Sequence, residues 1–184
     1  MKNVNVKDSF FIAPTDENEV LATCLNIKSK YSTGHDGISN VLLKNIIPSI
    51  VKPLTHIFNS SFACGVFPDW YKIAKIIPVF KSGNTYSITN YRPISLLPSI
   101  SKTLEKHMCK RLTNYLLHQN IVYPEQYGFL KGRSTEHAML DIIFKITDAI
   151  ENKMFATGAF LDLSKAFDTI THVAMALEVL HLIG

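Results

Sequence analysis

Residues 72–80, KIAKIIPVF, form a β-branched run, and residues 92–97 follow beyond the long, largely polar tip KSGNTYSITN. Two such stretches joined by a polar turn predict a hairpin. Pro78 and Pro93 cannot donate to a ladder, so the hairpin is expected to be irregular or to lie at an edge. Nearly everything else in the chain has helical periodicity, which makes the expected fold class α+β.

Thr15, followed by Asp16, Glu17 and Glu19, reads as the cap of a helix reaching about Lys30. After the loop STGHDGIS, Asp36 is expected to cap a second helix that places Ile38, Val41, Leu42, Ile46 and Ile47 on one face and ends at Pro48. A third helical piece covers residues 51–63 and is closed by Gly65 and Pro68. A helix of about five turns starts at Ser99 or Ser101, with Leu104, Met108, Leu112, Tyr115 and Leu116 inward and Lys102, Lys106 and Lys110 on another face. Beyond the loop VYPEQYGFLKGRS, Ser134 or Thr135 caps a helix with the stripe Met139, Ile142, Ile143, Ile146, Ala149 and Ile150, ending near Lys153. Residues 155–163 read as a strand buried on both faces, and Thr171 as the cap of a last helix closed by Gly184.

Length and composition fit one soluble domain: 184 residues, 47% hydrophobic and 18% charged. No apolar run approaches the roughly 18 residues of a membrane span, and no secretory pattern follows Met1. Cys24, Cys64 and Cys109 are far apart without a CxxC pair, which argues against disulfides or a zinc knuckle and favours a reducing compartment, cytoplasm or nucleus. The charge is uneven: residues 70–137 hold 10 basic and 3 acidic side chains, an excess of +7 out of an overall +4. Such an excess suits a surface that meets phosphates, and equally a solvated basic face.

The stretch FLDLSKAFDTITH, residues 160–172, ends an apolar run in Asp162. An ionised carboxylate buried among Phe160, Leu161 and Leu163 costs several kcal/mol unless a cation, a metal or donors meet it. A solvated strand end or a turn with Ser164 is the plainer account. GFLKGRST fails as a phosphate loop, because three residues separate its glycines where four are needed and Arg133 replaces the lysine. LDLSKAFDTIT fails as a haloacid dehalogenase phosphatase strand, because Ser164 stands where that family has its second Asp. The seven histidines form no zinc-binding spacing.

FLDLSKAFDTITH resembles the catalytic aspartate motif of reverse transcriptases of non-LTR retrotransposons, the jockey-like and LINE-like elements. NYRPISLLPSISKTLEK, QYGFLKGRST and GHDGISNVLLK are similar to further blocks of that family, in the same order. The resemblance implies a right-hand polymerase: helix-rich fingers with a β-hairpin, plus an incomplete palm, over residues 1–184. It makes Asp162 a catalytic ligand of two Mg²⁺ ions, with the Leu163 carbonyl as backbone ligand, and Phe167 the aromatic gate against a 2′-hydroxyl. Lys81 and Arg92 match the fingers residues that grip the incoming dNTP. Gln126, Gly128, Arg133 and Ser134 match the block near template and primer, and Lys102, Lys106 and Lys110 are placed on template phosphates. The implied partners are an RNA template, a DNA primer and dNTP, with no membrane and no implied oligomeric state. Asp168 reads as a brace of the turn.

His35, Leu130, Thr171 and the closing LEVLHLIG depart from the family pattern. The 184 residues hold no [FY]xDD pair, thumb or endonuclease, and one aspartate cannot hold two ions, so this polypeptide by itself is expected not to polymerise. An uncovered strand at Asp162 would also make it poorly soluble. Two further readings stand beside the polymerase domain: a non-catalytic nucleic-acid-binding remnant, and a degenerate retrotransposon relic.

Overall fold

A computed structural model describes residues 10–162. In chain order the elements are α1 (Glu17–Leu25), α2 (Asn40–Cys64), the short α3 (Asp69–Lys72), β1 (Lys75–Phe80), β2 (Tyr91–Leu96), α4 (Ser99–His118) and α5 (Thr135–Glu151), with a 3₁₀ turn at Ile88–Asn90. The architecture is mixed, helices with one small two-stranded sheet. The described residues divide into two compact units, residues 11–114, and residue 10 with residues 115–162.

In the first of these, Val20 and Cys24 of α1, Leu43, Ile47, Leu54 and Phe58 of α2, and Leu104 of α4 form the buried core. Each large apolar side chain in it contributes about 1.5–3 kcal/mol. Helix α1 is capped by Asp16, whose carboxylate accepts from the Glu19 amide at 2.8 Å. Thr15, the expected cap, instead donates from Oγ1 to Glu19 Oε2 at 2.8 Å, and its backbone is clamped at both N and O by the side chain of Asn59. The helix stops at Leu25 rather than near Lys30, and the Lys28 carbonyl accepts from Asn40 Nδ2 at 2.8 Å.

The second and third expected helices are one, the 25-residue α2. Ser39 caps it, accepting from the Leu42 amide, while Asp36 shapes the preceding turn by accepting from the Ile38 amide. Pro48 does not end it. Pro48 and Pro53 are both exposed, so the backbone groups they leave without a helical partner lie toward solvent. The buried stripe Leu43, Ile47, Leu54 and Phe58 passes both prolines, and its burial outweighs their cost. Gly65 closes α2 in the left-handed region at φ +64°, as its place in the sequence predicts.

The expected hairpin is present, and its ladder is regular. Pro78 pairs opposite Pro93, Val79 opposite Arg92 and Phe80 opposite Tyr91. The Lys81 amide donates to the Asn90 carbonyl at 2.8 Å, which fixes the alternation and places the two prolines at a non-hydrogen-bonded site, where neither is asked to donate across the ribbon.

Helix α4 buries Ser99, Ser101, Thr103, Leu104 and His107, whereas Met108, Leu112, Tyr115 and Leu116 are only half-buried. The inward face is therefore largely polar, and it is satisfied. Ser99 Oγ donates to Asn40 Oδ1 at 2.7 Å, Ser101 Oγ to the Tyr71 carbonyl at 2.9 Å, and Thr103 Oγ1 to the Ser99 carbonyl at 3.0 Å.

In the other unit, Phe10 packs on Tyr115 with ring centroids 5.2 Å apart. Ser134 caps α5 by accepting from the His137 amide, as expected. The stripe Met139, Ile142, Ile143, Ile146 and Ile150 lies on its exposed surface. The strand expected over residues 155–163 is not formed in its described part. Residues 155–162 are exposed and belong to no ladder, and β1 and β2, the strands among the described residues, pair with each other. The expected last helix, with Thr171 and Gly184, lies outside the described residues.

Candidate nucleic-acid interface

In an antiparallel ribbon, directly opposed residues share a face. Lys75, Ile77, Val79 and Arg92 therefore stand on one face of the hairpin, and Lys81 continues the same alternation just past the end of β1. Phe80 and Tyr91 stand on the other face, their rings edge-on with centroids 5.5 Å apart. Lys81 and Arg92, singled out in the sequence, thus share one exposed cationic face with Lys75. No acidic residue interrupts them, because Asp and Glu are absent from residues 70–98.

The three lysines of α4 differ from one another. Lys102 is half-buried and Lys106 exposed. Lys110 donates from Nζ to Glu19 Oε1 at 2.9 Å, so part of its charge is already answered within the chain. Arg111, which the sequence reading passed over, reaches Glu19 Oε2 at 2.8 Å and the Pro14 carbonyl at 2.9 Å, and its guanidinium lies over the Phe62 ring. Thr15 and Glu19 at i, i+4 were the available signal for this cluster.

Gln126, Gly128, Arg133 and Ser134 lie together in the loop leading into α5. Arg133 ties that loop to itself, donating from Nη1 to the Pro124 and Gln126 carbonyls while its guanidinium lies 5.7 Å from the Tyr127 ring centroid. Gln126 Nε2 donates to the Gly128 carbonyl at 3.3 Å. A Cβ added at Gly128 meets nothing, whereas Gly132 sits at φ +80° and needs to be glycine. Asp162 is exposed. Leu163, Phe167 and Asp168 lie outside the described residues. Among the described residues no three His, Cys, Asp or Glu side chains gather in a way that could hold a metal ion. No helix among them is long and apolar enough to cross a membrane.

Residues 79–179 match the family model for reverse transcriptase (RNA-dependent DNA polymerase). The chain belongs to the reverse transcriptase family. The matched stretch of this reverse transcriptase chain begins within β1 and takes in every candidate residue named from the sequence, from Lys81 to Phe167.

Its relatives include RNA-directed DNA polymerases of non-LTR mobile elements. The chain is 31% identical over 169 residues to the probable RNA-directed DNA polymerase from transposon X-element of Drosophila melanogaster, covering 91% of this chain and 19% of that protein. It is 33% identical over 155 residues to the RNA-directed DNA polymerase from mobile element jockey of the same organism, covering 84% of this chain and 17% of that protein. To the putative 115 kDa protein in type-1 retrotransposable element R1DM it is 29% identical over 166 residues. This reverse transcriptase chain thus spans less than a fifth of the X-element and jockey proteins.

Proposed function

We propose that this chain supplies the fingers and the first part of the palm of an RNA-directed DNA polymerase of a mobile element, acting on an RNA template, a DNA primer and dNTP in the cytoplasm or nucleus. The observation that carries the reading is the family match across all candidate residues, which begins in a hairpin whose exposed face is cationic. On this reading Lys81 and Arg92 grip the triphosphate, for which the fork of Arg92 is suited. The loop holding Gln126, Gly128, Arg133 and Ser134 lies beside template and primer, and Lys102, Lys106 and Lys110 meet template phosphates. Phe167 gates the sugar.

A divalent metal would supply activation of the primer 3′-hydroxyl and stabilisation of the transferred phosphoryl group, the two-Mg²⁺ chemistry of nucleotidyl transfer. Asp162 and the Leu163 carbonyl are its candidate ligands in this chain. The described residues do not fit two ions, because no cluster of ligating side chains surrounds Asp162. The basic excess of residues 70–137 is also compatible with a second reading, a nucleic-acid-binding module without catalysis.

The test is a binding and extension assay on the purified 184-residue chain with an RNA–DNA template–primer. Binding that weakens with salt and no Mg²⁺-dependent extension is expected. Extension would refute the expected inactivity, and salt-independent or absent binding would sink the nucleic-acid reading altogether.

A further inference from the structure

The loop from Tyr123 to Ser134 holds a conformation that needs support. Phe129 is a non-glycine residue at φ +63°, in the left-handed region, and it is 97% exposed, so no burial of its ring offsets the strain. Such a conformation persists only where surrounding contacts over-determine it. Those contacts converge on Arg133. Its Nη1 donates to the Pro124 and Gln126 carbonyls, its guanidinium lies 5.7 Å from the Tyr127 ring centroid, and its amide donates to the Leu130 carbonyl at 3.3 Å. One residue thereby joins the incoming limb, 124–127, to the outgoing limb, 130–133. Both limbs are seated on α5. The Asp141 carboxyl is held below its usual range by a hydrogen bond from Lys145, at 2.8 Å, and by a weaker one from the Tyr127 hydroxyl, while Ser134 caps the helix.

A guanidinium that reaches two carbonyls and a ring face at once is held in one plane and one place. A lysine cannot replace it there, because an ammonium on a flexible stem has neither the fork nor the flat face. Lys131 has the opposite character. It is exposed and in no ion pair among the described residues. The field of Glu125, the loop's one carboxylate, reaches Lys145 of α5. A flexible, unpaired ammonium suits a phosphate, which it meets as a point charge. The loop therefore holds two cations, two residues apart, with different tasks.

We propose that Arg133 is a positioning residue that braces the loop, and that the loop's phosphate contact to template or primer is made by Lys131. This rests on the reading above that the loop lies beside template and primer. It takes Arg133 out of direct contact and assigns that contact to a side chain not named from the sequence.

The experiment measures the 184-residue chain against a fluorescein-labelled RNA–DNA template–primer by anisotropy over a range of salt, for wild type, Arg133→Ala, Arg133→Lys and Lys131→Ala. Hydrogen exchange of the loop peptide in the free proteins is followed beside it. Lys131→Ala is expected to lower the slope of log affinity against log salt by about 0.7–0.9 and to leave exchange unchanged. Arg133→Ala and Arg133→Lys are both expected to speed exchange across residues 123–134 and to weaken binding by about tenfold, the cost of ordering one backbone residue again on binding, with the salt slope unchanged. If Arg133→Lys binds like wild type while Arg133→Ala loses slope, Arg133 is itself a phosphate contact and the proposal is overturned. Unchanged exchange in both Arg133 variants overturns the brace, and an unchanged slope in Lys131→Ala overturns the assignment of the contact. If the wild-type chain shows no salt-dependent binding, the reading beneath falls and takes the Lys131 contact with it, whereas exchange still decides the brace.

Discussion

Arg111 donates through Nη2 to Oε2 of Glu19 at 2.8 Å across 92 residues of sequence, fastening α4 to the first turn of α1. Burial by itself would raise the Glu19 carboxyl, but hydrogen bonds from Arg111, Lys110 and Thr15 outweigh it and hold the group at about 2 against an ordinary 4.5. The folded value lies below the unfolded one, so the stabilisation is complete above about pH 4.5 and is lost as pH falls toward 2. Glu19→Gln should lower stability by about 1–2 kcal/mol at neutral pH, with the side chain 22% exposed. Urea unfolding of both proteins at neutral pH and in acid checks this, since the gap must narrow in acid.

His107 predicts a second pH effect of separate origin. Its ring is buried against Phe58, Nδ1 faces Thr15 Oγ1 at 3.5 Å and Glu19 Oε1 at 3.7 Å, and Nε2 is buried with no hydrogen-bond partner among the described residues. Burial lowers its proton affinity, Glu19 raises it, and Arg111, Lys110 and Lys106 lower it further, leaving it below the ordinary 6.5. The unfolded chain therefore takes up a proton first, and stability should fall as pH drops below about 6.5. In His107→Gln that slope should flatten below about pH 6.5, measured by thermal melting as the pH is lowered.

Two glycines of the GHDGIS loop serve different ends. A Cβ at Gly34 would lie 2.8 Å from the Pro98 nitrogen and 3.0 Å from the Leu97 carbonyl carbon, backbone atoms that cannot turn aside. Gly37 has open space but sits at φ +71°. Gly34→Ala should cost about 2 kcal/mol or more, and Gly37→Ala about 1 kcal/mol. Denaturant midpoints of the two variants, compared side by side, test the ranking.

Two lysines of α4 should differ in what they contribute to RNA binding. Replacing the exposed Lys106 by Ala should reduce the salt slope of single-strand binding by about 0.7. Lys110→Ala should reduce it less, because its ammonium already pairs with Glu19. Equal slopes for the two would show that the intramolecular pair opens freely.

Where a local signal was strong, the sequence was sufficient. The β-branched run 72–80 with its polar tip gave the hairpin, Ser134 gave the start of α5 and Gly65 the end of α2. The misreadings came from tertiary context. Pro48 reads as a stop, but burial of Ile47, Leu54 and Phe58 carries α2 past it. The inward face of α4 was sought among Leu and Met residues, and Ser99, Ser101 and Thr103 could be seen as internal only once Asn40 and Tyr71 were known to meet them. For the site, the sharing of one face by Lys75, Lys81 and Arg92 follows from register, whereas the engagement of Lys110 by Glu19 depends on a contact 91 residues distant.

The facing prolines also determine what the ribbon can join. At a non-hydrogen-bonded pair the backbone N–H groups point away from the partner strand, toward the outer margins. Pro78 and Pro93 therefore each remove the middle donor from a margin of the hairpin, between Ile76 and Phe80 on one side and between Tyr91 and Ser95 on the other. A third strand arriving at either margin would find a gap in the row of donors that it must match. The hairpin can stand into solvent with apolar side chains on display and still be a poor seed for sheet growth.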